Sequence, residues 1–275
     1  MTTALVQRRD YLDAQRRTII ARAVLGGIAG AVPVPFLDDW AISTILGGGY
    51  RRIAAAHQVD LDGDAVKALV HGTTAPPSLV DMAAGGIMFR LAGRAARRMM
   101  LALATINRAR SAARTFVAMT LFDHYCAKLH TGLALDGATA LALREEIGRA
   151  IDNTPGALAF HPFRRGALSA ARATLRAPLE LADIASRGGL RRLLAKKTGV
   201  TEADVVDDLE QAMEAALAKQ GGFLARTVTA VEVQLSSEVN PYLDAAIESL
   251  DRKWRARVAA GQTRSEPADA GHRER

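Results

Sequence analysis

The sequence predicts an all-α fold: a multi-helix bundle built around a glycine-rich helical hairpin, with no sheet. Two observations point to it. Alanine and leucine dominate while aromatic residues make up only 5% of the chain, a composition suited to closely packed helices rather than to a β-sandwich. Apolar residues also recur at the helical period through long runs, and prolines and glycine pairs fall between those runs. At 275 residues the chain can hold one large or two small domains and bury a sizeable core.

The first predicted helix covers residues 4–31, where Leu5, Leu12, Ile19, Ile20, Ala23 and Val24 share a face. Gly26 and Gly30 stand four apart near its end, flanked by Ala23, Gly27 and Ala31. Small residues at that spacing let a second helix backbone approach closely. Pro33 and Pro35 must break the helix, because each proline drives its predecessor out of the α region. Asp38 and Asp39 then suit the first turn of a second helix through its dipole. That helix runs through Trp40, Ile45 and Tyr50 to about His57. The acids Asp60, Asp62 and Asp64 around Gly63 resemble the opening of a calcium loop, but its sixth and twelfth positions hold Ala65 and His71 instead of glycine and a carboxylate. Capping of a helix over residues 65–70 accounts for them better.

Pro76 and Pro77 mark the next break. From Leu79 to His130 no proline occurs, which predicts one long helix or two. On a helical projection Arg90, Arg94, Arg97, Arg98 and Arg108 gather on one side and Met88, Met99, Leu103 and Ile106 on the other, so this segment is basic and amphipathic. Short helices follow, punctuated by Gly132, Gly137, Pro155 with Gly156, and Pro162. Thr201 with Asp204 forms a capping box, with Val200 and Val205 as its hydrophobic staple. Val205, Leu209, Met213 and Leu217 are that helix's apolar stripe, and Gly221 and Gly222 end it. A further helix is expected over residues 223–239. Asn240 and Pro241 then suit the N-cap and first turn of the last helix, whose core face is Leu243, Ile247, Leu250 and Trp254. No internal repeat is evident. The organisation expected is a basic, Gly/Ala-rich hairpin domain over 1–135, a helical region over 136–260, and a disordered tail over 261–275.

The formal charge of +7 is unevenly distributed. Residues 1–199 carry a surplus of 12 positive charges, whereas residues 200–251 hold 11 acidic side chains against 2 basic ones. Such a split suits either internal complementarity or a basic face turned toward an acidic partner. Arginine outnumbers lysine 30 to 6, but no helix-turn-helix, zinc finger or aromatic-interleaved basic stripe accompanies it, which argues against nucleic acid. Mean hydropathy is +0.04, yet the longest charge-free stretch, residues 23–37, is interrupted by two prolines and falls short of the roughly 20 residues that cross a bilayer. Charged residues precede any apolar run and no cleavage site follows one, so a signal peptide is not expected. With a single cysteine, Cys126, the expected location is cytoplasmic, peripheral at the inner membrane.

Chemistry is sparsely signalled. Gly47, Gly48 and Gly49 do not form a phosphate loop, and no metalloprotease or nucleophile-elbow motif occurs. The best cluster is Asp123, Cys126 and His130, which at i, i+3 and i+7 of one helix share a face and could supply three metal ligands. No second cluster completes such a site, and polar residues at a helix end beside a buried thiol explain it more simply. No catalytic residue, metal or cofactor is assigned.

Residues 26–38 read Gly-Gly-Ile-Ala-Gly-Ala-Val-Pro-Val-Pro-Phe-Leu-Asp, and Arg52-Ile53-Ala54 precedes His57-Gln58-Val59-Asp60-Leu61. Together these resemble the "A-G-x-I-P-I-P-x-x-D" hairpin and "I-A-x-x-Y-G-x-D-L" continuation of bacterial helical domains of unknown function that accompany Era-like or dynamin-like GTPases, and of the EcsC family. The resemblance covers residues 18–130, about 40% of the chain. His57 and Gln58 stand where those domains have an aromatic residue and glycine. It implies an all-α hydrophobic module linked to membranes or to GTPase or transporter regulation, and it transfers no catalytic residue.

The function expected is therefore that of a non-enzymatic helical protein, membrane-peripheral or partner-binding. Its contact residues would be Gly26, Gly30, Pro33, Pro35, Phe36 and Trp40, supported by Arg90, Arg94, Arg97, Arg98 and Arg108. Two alternatives remain open: a soluble homo-oligomeric scaffold, in which residues 200–251 contact the basic body, and a metal-dependent enzyme using Asp123, Cys126 and His130.

Overall fold

Two helices of the Gly/Ala-rich N-terminal region pack together within the core, and residues 30–37 between them lie outside the described residues. The computed structural model describes residues 10–29, 38–73, 94–154, 156, 211, 214–215, 217–218, 223–237 and 241–265. Helix α1 (Asp10–Ala29) and helix α2 (Asp38–Ala56) pack against each other. Gly49 lies beside Arg22, and Gly26 beside Leu46, so the two helices run antiparallel. Between residues 19 and 25 every side chain of α1 is buried. One of them is Arg22, 2% exposed, whose guanidinium donates to the Ile45 carbonyl at 2.8 Å. The glycines of α2 make room for this arrangement. A methyl group at Gly49 would fall 2.7 Å from both Arg22 Cδ and Met119 Cε, and one at Gly47 would lie 3.1 Å from Val66.

Helix α2 ends in a turn in which Val59 N donates to Ala54 O at 2.9 Å and Gln58 takes a left-handed φ of 59°. Glycine reaches this region without steric cost; Gln58 adopts it with a side chain present.

Two short strands correct the expectation of no sheet. Strand β1 (Asp60–Leu61) pairs in parallel with β2 (Ala134–Leu135), in register Asp60 with Ala134 and Leu61 with Leu135. Each strand leads into a helix through the same three residues, Leu61-Asp62-Gly63 into α3 (Gly63–His71) and Leu135-Asp136-Gly137 into α5 (Gly137–Asp152). Both aspartates are N-caps: Asp62 Oδ1 accepts from Ala65 N at 2.6 Å, and Asp136 Oδ1 accepts from Thr139 N at 2.8 Å. Capping therefore does explain Asp62, as expected. The local repeat, which the sequence reading misses, sets α3 and α5 side by side, with Gly137 close against Asp64.

A single helix, α4 (Arg94–Lys128), covers 35 residues, roughly 52 Å at 1.5 Å per residue. It packs most extensively on α1. Helices α6 (Phe223–Ser237) and α7 (Pro241–Ser265) complete the described elements. The expected core face of α7 is correct: Ile247, Leu250 and Trp254 are buried, and Leu243 packs on the core. The same helix continues through Gly261 to Ser265, so the tail expected from residue 261 is helical over its first five residues. Glu146, buried on α5, accepts from Arg149 at 2.6 Å and from Arg257 of α7 at 3.0 Å. Helices on both sides of residue 136 feed one continuous apolar core. The capping box at Thr201 and the stripe residues Val205, Leu209 and Met213 lie outside the described residues; Leu217, the last of that stripe, packs on the core.

Candidate functional site

Three buried polar side chains, Thr120, Asp123 and His124, cluster on the C-terminal part of α4, where residues 116–126 are buried except for Ala118. Asp123 and His124 are consecutive, so their side chains leave the helix about 100° apart and meet different neighbours. Asp123 is 0% exposed, and its Oδ1 lies 2.6 Å from His57 Nε2, in the turn after α2. His124, 3% exposed, stands between Tyr11 of α1, whose hydroxyl is 2.5 Å from Nδ1, and Asp251 of α7, whose Oδ1 is 2.6 Å from Nε2. Two carboxylate–imidazole pairs and the Tyr11 hydroxyl thus tie α4 to α1, to α7 and to the turn after α2. Tyr50, Phe122, Tyr125 and Trp254 form an aromatic column there, with edge-on contacts at centroid distances of 5.0 Å at each end. Such pairs add to simple burial.

The electrostatics follow from burial. Loss of hydration pushes the Asp123 carboxyl above the usual carboxylate range, against the opposing effect of its hydrogen bond and charge interaction with His57. Its Oδ2 is buried and has no hydrogen-bond partner among the described residues. Burial and the nearby Asp123 push the Cys126 thiol up, so it is held as the unreactive, protonated form. Burial likewise pushes up the Tyr125 hydroxyl and lowers His130. Tyr50 is pushed up by burial to about 12 despite Arg144.

The face expected to unite Asp123, Cys126 and His130 does not form. Helix α4 ends at Lys128, and His130 N turns back to donate to Tyr125 O at 2.8 Å. The His130 ring consequently meets the Tyr125 hydroxyl, 3.2 Å from Nδ1, and Asp123 is directed to His57. Among the described residues no group of three or more His, Cys, Asp or Glu side chains is placed to hold a metal ion.

No family model, curated protein or solved structure matches this chain. The contact residues expected from sequence are therefore placed by the structure alone. Gly26 lies within the hairpin against Leu46. Gly30, Pro33, Pro35, Phe36 and Arg90 lie outside the described residues, while Trp40 belongs to α2 and Arg94, Arg97, Arg98 and Arg108 belong to α4. Among the described residues no helix is long and apolar enough to cross a membrane.

The acidic segment does reach the basic body. Glu214 forms an ion pair with Arg52 of α2. The hydrogen bond and charge of Arg52, with a smaller contribution from Arg22, hold the Glu214 carboxyl below its ordinary range. Neither Arg22 nor the partners of Asp123 and His124 carry a local sequence signal. They are 23 to 127 positions away from what they bind.

Proposed function

We propose that this chain is a non-enzymatic helical module that docks peripherally on an anionic membrane surface. The observation that carries the reading is a run of 41 residues, 82–122, with seven arginines and no aspartate or glutamate. Most of that run belongs to the single helix α4, which is anchored in the core through its C-terminal part. Its N-terminal part, residues 94–109, is the amphipathic basic stretch of the sequence. Basic amphipathic helices bind at lipid headgroups by combining a buried apolar stripe with attraction to anionic lipid. Residues 30–37, which join the two hairpin helices, are free of charge and end in Phe36 and Leu37, which suits shallow insertion beside such a helix.

The resemblance to GTPase-associated and EcsC-like helical domains favours the same class of role. The buried Asp–His pairs fit as ties between helices: His124 is flanked on both ring nitrogens, and Asp123 is enclosed.

Co-sedimentation with phosphatidylcholine vesicles, with and without phosphatidylserine, tests the proposal. Binding should require the anionic lipid. The triple variant Arg94→Gln, Arg97→Gln, Arg98→Gln, checked for folding by circular dichroism, should bind at least roughly tenfold more weakly, since each surface arginine near such a membrane contributes about 1 kcal/mol. Absence of lipid-dependent binding at low salt would leave a protein partner or self-assembly as the reading to pursue.

A further inference from the structure

Helix α7 runs past its neighbours at one end of the bundle. Arg114 of α4 pairs with Asp152, the last residue of α5, at 3.0 Å. Tyr242, at the start of α7, lies beside Gly156, just beyond that end of α5, and Arg257 pairs with Glu146 of α5 at 3.0 Å. Asp251 and Trp254 stand beside His124 and Tyr125 of α4. These contacts make α4 and α7 parallel to each other and antiparallel to α5. Beyond the Asp251–His124 contact α4 has four residues left and α7 fourteen, so α7 extends roughly 15 Å further at 1.5 Å per residue. Residues 255–261, nearly two helical turns, are exposed without interruption. Residues 252–265 include five basic residues and no acidic one. Arg255 is held by Asp251, and Arg257 by Glu145 and Glu146, whereas Arg252 and Lys253 enter no ion pair among the described residues.

The opposite charge gathers at the same end. Strand β2 lies between the end of α4 and the start of α5, and β1 pairs with it, so Asp60, Asp62, Asp64 and Asp136 all stand where α7 projects. All four are exposed, and their one ion pair among the described residues is that of Asp64 with Lys67 at 3.1 Å. Leu133, 82% exposed, adjoins them, its carbonyl accepting from Asp60 N at 2.7 Å, and Val258 on α7 is 44% exposed. We propose that the projecting end of α7 docks against the face formed by Asp60, Asp64 and Asp136 on a second copy of this chain. Each copy carries both surfaces at one end, so a two-fold axis there satisfies both contacts at once, as in an isologous dimer. The charges are complementary, and Leu133 and Val258 supply apolar surface to bury in the contact. An anionic lipid surface would be repelled by the four aspartates, which favours an occupant that presents acidic and basic groups together. The inference is independent of the membrane reading, which concerns the opposite end of α4.

Sedimentation velocity of the full chain without lipid, over a range of protein concentrations, tests this with a charge swap. One variant combines Arg252→Glu with Lys253→Glu, and the other combines Asp60→Lys with Asp64→Lys; Asp62 and Asp136 are left intact because they cap helices. Thermal melts confirm that each variant is folded. The wild type should show a reversible monomer–dimer equilibrium that shifts toward monomer as salt is raised from about 0.1 M to about 1 M. Either variant alone should dimerise at least roughly tenfold more weakly, because like charges then face each other. An equimolar mixture of the two should recover dimers, since both contacts of the mixed pair again join opposite charges. A strictly monomeric wild type, a dimer that neither variant weakens, or a mixture that stays monomeric would overturn the proposal. A monomeric wild type whose binding to phosphatidylserine-containing vesicles is weakened by the α7 variant would assign this end to lipid instead. None of these results bears on lipid binding by the N-terminal part of α4, so the two readings fail separately.

Discussion

Asp123 shows how a single residue can be visible in a sequence while its role is not. Its position beside Cys126 and near His130 marks a polar cluster, but its partner, His57, is 66 positions away, and nothing local signals that pairing. Burial raises the Asp123 pKa, so folding favours its protonated form. That contribution is complete below the ordinary carboxylate pKa of about 3.9 and is lost as the pH rises through the higher folded value. Asp123→Asn keeps the acceptor for His57 and removes the titration. The variant should therefore gain stability relative to wild type as the pH is raised from about 4 toward 8, as read from urea midpoints across that range. A constant difference at every pH would contradict the burial effect.

Gly49 shows the opposite case, in which composition is legible and its reason is not. Three consecutive glycines at residues 47–49 suggest close packing, but only the structure shows that buried Arg22 and Met119 fill the space above Gly49. Gly49→Ala gains about 1 kcal/mol of helix propensity. It also forces two enclosed side chains to move, at a cost of roughly 1–3 kcal/mol. The variant should melt below wild type in calorimetry. An increase in Tm would mean that Arg22 can withdraw freely.

Among the elements, helix positions are the most legible feature. Strong periodicity places α1, α2, α6 and α7 in the sequence, and Asp38, expected in the first turn of the second helix, begins α2. The strands are not legible, because two residues cannot display a period of two. Their parallel pairing depends on a crossover connection more than seventy residues long. The signal that could reveal them is the repeated Leu-Asp-Gly preceding α3 and α5. Once the two copies are aligned, they mark equivalent caps. Asp136→Ala removes the hydrogen bonds to Thr139 N and Oγ1 and should cost about 1 kcal/mol. Asp62→Ala should behave alike. Chemical denaturation of each variant reads the loss, and an unchanged midpoint for either would show that its cap is dispensable.

At the scale of the whole molecule, the charge division is the feature that sequence and structure share. The sequence shows a basic body followed by an acidic segment, and the Arg52–Glu214 ion pair shows one point at which that segment touches the body. Internal complementarity is thus real at this point. It leaves residues 82–122 as the longest acid-free run in the chain and the one with the most basic residues. Arginine-driven binding to a charged surface must weaken with salt, because the screening length falls from about 10 Å at 0.1 M to about 3 Å at 1 M. The most direct test is co-sedimentation of the wild-type chain with phosphatidylserine-containing vesicles across that salt range. The membrane reading predicts strong binding at low salt that is largely lost at high salt, with none to phosphatidylcholine alone. Binding that ignores both lipid charge and salt, or no binding at low salt, would contradict it.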